Sequence, residues 1–120
     1  PMSMGEGRDT SMSLFQSAYL ASLSLEEYKP RLRRGDEQSR SRASAICARC
    51  EETIDAAWGL VALIAKDVGD TAAEVVAEHY LFGDDWHTVS AMHGLPYDLC
   101  KKLAYSAIRS LDEGGRYEGV

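Results

Sequence analysis

Apolar residues recur at spacings of three and four along most of this chain and nowhere alternate at period two, so the pattern predicts helices throughout. The clearest stripe is Ala43, Ile46, Cys50, Ile54, Ala57, Val61, Ile64 and Val68, which predicts one long helix from Glu37 to about Val68. Trp58, Leu60 and Leu63 widen the stripe, so the C-terminal half is expected to be covered on more than one side. A helix of about 30 residues is ~45 Å long, more than a small domain covers. Its start, Ser39-Arg40-Ser41-Arg42, is therefore expected to project or to meet a partner.

Shorter elements flank this rod. Leu14, Phe15, Ala18, Tyr19 and Leu23 predict a helix over Met12–Ser22, and Ser24-Leu25-Glu26-Glu27 matches a capping box that would start a second one, limited by Pro30. Gly35-Asp36 and Gly69-Asp70 read as breaks. Thr71-Ala72-Ala73-Glu74 is a further capping box, opening a helix that carries Val75, Val76, His79, Tyr80 and Leu81 and stops at Gly83, with Asp84 as the next N-cap. Trp86–His93 predicts a short helix, Gly94-Leu95-Pro96 a turn, and Tyr97–Leu111 a longer helix, together a helix-turn-helix. The expected architecture is all-α: a helical bundle with a long central helix and a C-terminal helix-turn-helix. Its expected divisions are a disordered tail at 1–11, an N-terminal helical region at 12–70, the helix-turn-helix domain at 71–113 and a flexible tail at 114–120.

Composition changes this picture mainly through charge. Of 120 residues, 45% are apolar and 27% charged, ordinary values for a folded domain, and the net charge of −6 argues against broad attraction to nucleic acid. The charge is unevenly placed. Between Lys29 and Arg49 seven basic residues face two acidic ones, a surplus of five positive charges, whereas from Thr71 onward four basic residues face eight acidic ones. No apolar run approaches the ~20 residues of a membrane span, so no membrane partner is expected. Three cysteines and the lack of a signal-peptide pattern make a reducing cytoplasm the expected location.

From Val75 to Leu111 the chain resembles the region-four helix-turn-helix of bacterial sigma factors, and it is particularly similar to small sigma-like transcriptional regulators of phages and prophages. The residues that carry this are Tyr80-Leu81-Phe82-Gly83, Trp86, Val89, Gly94 and Leu95, then Cys100, Leu103, Ala107, Ile108 and Leu111 on the inner face of the second helix. Ser90, His93 and Pro96 depart from the family's usual alanine, apolar residue and serine or threonine cap. The resemblance implies DNA as partner, with RNA polymerase or another host protein complex and a homodimer as further ones. It places DNA contacts on Tyr97, Asp98, Lys101, Lys102, Tyr105 and Arg109, the lysines and arginine toward phosphates and Tyr97 and Asp98 near base edges.

Arg33, Arg34, Arg40 and Arg42 are candidates for a second basic contact, although a charged helix face paired with Asp36, Glu37, Glu51 and Glu52 is the commoner explanation of such a run. Cys47-Ala-Arg-Cys50 lacks the second pair a structural zinc site needs, so buried thiols are expected, most clearly Cys50, with no metal and no cofactor. The three histidines have no nucleophile in a recognisable arrangement and no Gly-rich phosphate loop occurs, so no enzyme activity is expected. Two functions follow. One is a sigma-like transcription regulator of phage or mobile-element type. The other is an acidic helical inhibitor that occupies a host nucleic-acid-binding complex, a DNA mimic similar in size and charge to anti-CRISPR proteins.

Overall fold

In the computed structural model residues 10–113 are described, and they form helices and the turns between them, with no strand. In chain order these are α1 (Thr10–Tyr28), a 3-10 turn (Lys29–Arg33), α2 (Glu37–Asp67), α3 (Asp70–Val76) running on into a π-helical turn (Ala77–Leu81), α4 (Trp86–His93) and α5 (Tyr97–Glu113). The chain is all-α with a long central helix, as its periodicity predicts.

Residues 12–28 form one helix where two were expected. The Ser24 capping box is not used, because the face that packs on α2 continues past it: Phe15, Ala18, Ser22, Leu25 and Tyr28 are buried or half-buried in helical register. Ser22 instead turns its hydroxyl back to the Tyr19 carbonyl at 2.6 Å. Pro30 then falls in the first positions of the 3-10 turn, where a missing N–H does least harm. The tails expected at 1–11 and 114–120 lie outside the described residues except for Thr10 and Ser11, which belong to α1. The Ser11 N–H donates to Asp112 Oδ1 at 3.1 Å, tying the start of α1 to the end of α5. The Ser11 hydroxyl is buried and has no partner among the described residues. Replacing it with alanine removes an unsatisfied polar group, so Ser11→Ala is expected to raise stability by about 1 kcal/mol in chemical denaturation. A loss of similar size would show that the hydroxyl is bonded after all.

α2 begins as an Asp36-capped helix, the carboxylate accepting from the Ser39 N–H at 2.8 Å. Those hydrogen bonds hold the Asp36 carboxyl below its usual range. At its other end the N–H groups of Val68 and Gly69 both bond the Ile64 carbonyl, and Gly69 at φ +134° reverses the chain at once. This pre-empts the Thr71 capping box: α3 starts at Asp70 with Gly69 in the cap position and no side-chain cap. Of the α2 cysteines it is Cys47 that is buried, while Cys50, the expected one, is half-buried.

One apolar core joins Phe15 and Ala18 of α1 with Ala57, Leu60, Val61 and Ile64 of α2, Val75 and Val76 of α3, Val89 of α4 and Cys100, Ala104 and Ile108 of α5. Ala43 and Cys47, buried nearer the start of α2, lie outside this cluster. The last half of α2 is thus the post against which α1, α3 and α5 pack, while α4 sits on α5 and the π turn. Among the described residues, no helix is long and apolar enough to cross a membrane.

Candidate nucleic-acid interface

α4, its turn and α5 are built from strong local signals. Asp85, not Asp84, caps α4: its Oδ1 accepts from the Thr88 N–H at 2.8 Å, and this bond holds the Asp85 carboxyl below its usual range. Asp84 is occupied earlier, because its N–H donates to the Glu78 carbonyl at 2.9 Å and its own carbonyl lies 2.7 Å from His79 Nδ1, closing the π turn. Gly94 ends α4 in the left-handed conformation at φ +64°, with its N–H on the Ser90 carbonyl. The Ser90 hydroxyl donates to the Leu95 carbonyl, so the serine at this unusual position braces the corner. Pro96 offers no capping side chain, but its carbonyl accepts the first bond of α5 from the Cys100 N–H at 3.1 Å.

α5 divides cleanly into two faces. Cys100, Ala104, Ala107, Ile108 and Leu111 are buried, four of them from the expected inner face, with Ala104 in addition. Leu103 is half-buried. The six candidate DNA contacts fall on the other side, within an arc of roughly 140° on a helix that turns about 100° per residue. Asp98, Lys102, Tyr105 and Arg109 are exposed, and Tyr97 and Lys101 are half-buried at the boundary.

The tyrosines are fixed by neighbours from α4. The Tyr97 ring faces His87 at 4.7 Å on one contact and carries Lys101 Nζ 5.2 Å from its centroid on another. Tyr105 sets its ring edgewise to Trp86 at 6.3 Å, and Trp86 in turn stacks on His79 at 3.8 Å. Trp86 is buried, a packing residue at the entrance of α4. Burial, with the Tyr105 phenol nearby, pushes the Tyr80 hydroxyl up to about 12, so it stays neutral. Lys102 and Arg109 have no ion-pair partner among the described residues and are free to meet an external anion.

The second basic group stands elsewhere. Arg33 and Arg34 lie at the end of the 3-10 turn and Arg40 and Arg42 on the first turns of α2, all exposed. Arg40 donates to the Gly35 carbonyl at 2.7 Å and so serves the turn. Arg34 and Arg42 line an open cleft of about 530 Å³ with Tyr28, Arg31 and Ser39. Arg31 is already paired with Glu27 at 3.1 Å. α5 shares its core with the Ala57–Ile64 part of α2, about 20 residues from Arg40, or ~30 Å along the helix. The fold therefore does not merge these arginines with the α5 face.

Sequence reasoning missed a polar cluster beneath α4. His93 Nε2 lies 2.7 Å from Glu78 Oε1, and its Nδ1 lies 3.9 Å from Glu74 Oε1. The available signal was two glutamates four apart on one helix and a histidine where an apolar residue is usual. An apolar surface was missed as well: Trp58 and Phe82 meet at 5.7 Å, with Phe82 63% exposed, beside Leu23 and Ile54. No protein-family model, curated protein or solved structure matches this chain.

Proposed function

We propose that the chain is a small sigma-like transcription regulator of phage or mobile-element type that binds DNA through the exposed face of α5. What supports this reading best is that Tyr97, Asp98, Lys101, Lys102, Tyr105 and Arg109 share one side of α5 immediately after the sharp corner at Gly94, with Asp98, Lys102, Tyr105 and Arg109 exposed. Lys102 and Arg109 reach phosphates, and Lys101 does so from its seat on Tyr97. Tyr97 and Asp98 at the helix start sit where a recognition helix meets base edges. Three phosphate contacts give a salt slope of about −3 on a log–log plot, weak for one chain, so a homodimer or tethering to RNA polymerase completes the affinity. The exposed Trp58–Phe82 surface is available for such a protein contact.

The test is selection from a random duplex library, then anisotropy of the winning duplex between 50 and 200 mM salt. Lys101→Glu with Lys102→Glu is expected to abolish binding while helicity stays unchanged. Unchanged binding by this double variant removes the assignment. If the native chain retains no duplex even at the lowest salt, the acidic surface after Thr71 takes precedence. The chain is then a protein-binding inhibitor that occupies the basic site of a host nucleoprotein.

A further inference from the structure

We propose that Glu74, Glu78 and His93 form a binding site for a divalent transition-metal ion of the Zn²⁺ class. This proposal does not depend on the DNA reading. One ring nitrogen of His93 and one carboxylate oxygen of each glutamate lie within 4.8 Å of one another. Imidazole and carboxylate at bonds of about 2.0–2.2 Å are the donors that Zn²⁺ takes, usually three from protein with a fourth position left to water.

The fold brings these donors together from two elements. Glu74 lies on α3 and Glu78 one turn later, at the entry to the π segment, so both project toward the C-terminal end of α4, where His93 is the last residue. His93 and Glu78 are largely shielded, with side chains 13% and 17% exposed, and Glu74 is open at 60%. A shielded pair with one exposed ligand gives the ion both a fixed seat and an entry path.

Charge balance carries the argument further. Two carboxylates four apart on one helix repel each other, and among the described residues no lysine or arginine pairs with either. A protonated His93 would still leave one negative charge uncompensated. A divalent cation with neutral imidazole and two carboxylates balances completely. The hydrogen bond between His93 and Glu78 accounts for that pair alone, because Glu74 at 3.9 Å is beyond hydrogen-bonding distance and waits unbonded at the edge. On binding, His93 Nε2 exchanges its hydrogen bond to Glu78 for the ion, the neutral ring carrying its one proton on Nδ1, and a small rotation of exposed Glu74 completes the ligand set.

The experiment is calorimetric titration of Zn²⁺ into the full chain after chelator treatment, with thermal melting in parallel. One ion per chain is expected, together with a raised Tm. Glu74→Gln, at an exposed position, is expected to keep the fold and weaken binding at least ~10-fold, and His93→Gln to weaken it further. Zinc held by the cysteines would ignore both changes, so equal affinity of Glu74→Gln and the native chain overturns the proposal. So does the lack of saturable heat. If His93→Gln melts early from loss of its tie to Glu78, Glu74→Gln decides alone.

Discussion

Phe15→Ala is expected to cost about 3–5 kcal/mol in urea or guanidinium denaturation. Phe15 is fully buried on α1 and faces the Tyr80 ring at 6.0 Å. It is the largest apolar side chain by which α1 enters the core shared by α2 and the later helices. Truncation removes its transfer free energy and leaves a void between helices that cannot close without shifting their backbones. Phe15 reaches the α5 face only through Tyr80 and Trp86, which lie between it and Tyr105, so helicity and duplex binding at low temperature should fall less than the unfolding midpoint. A cost below about 1.5 kcal/mol would mean that α1 is not docked as described.

Gly83→Ala should be nearly as damaging, at about 2–4 kcal/mol, for two separable reasons. Gly83 holds φ +81°, a left-handed conformation that costs an L-residue about 1–2 kcal/mol. A methyl group there would also sit 2.7 Å from Tyr19 Cε1 and 3.1 Å from its Cζ, so the half-buried Tyr19 ring must shift to admit it. Gly94 provides the control, since it shares the positive φ but a methyl there meets nothing within 4 Å. Gly94→Ala should therefore lose only the backbone part, about 1 kcal/mol. Adding Tyr19→Ala should relieve the steric part of Gly83→Ala and leave the backbone part. Equal destabilisation at the two glycines would sink this division.

The parts of the fold that were legible are those written within single helices. α4 spans Trp86–His93 as its pattern predicts, and the apolar register of α5 places Cys100, Ala107, Ile108 and Leu111 inside. The six candidate contacts were readable for the same reason, since one helix fixes their common face. Capping motifs were poorer guides. Ser24 and Thr71 each carry the right residues, but continued docking of α1 in one case and the reversal at Gly69 in the other fix the helix start before the side chain can act. Asp84 lost its capping role to Asp85 because the π turn claims its backbone, and nothing local in the sequence announces a π turn. Glu74, Glu78 and His93 come together only because α4 packs against the π turn that continues α3, which no spacing along the chain encodes.

The 31-residue α2 answers to different neighbours along its length. Its last turns are packed by α3 and α5 as well as α1, whereas Ala43 and Cys47 lie toward the end served by α1 and the adjoining 3-10 turn. Opening free energy should accordingly rise from the arginine-bearing end toward Ile64, a gradient rather than a single threshold. Whatever grips Arg34 and Arg42 would pull on the yielding end of a spar whose far end stays anchored, leaving the α5 face undisturbed.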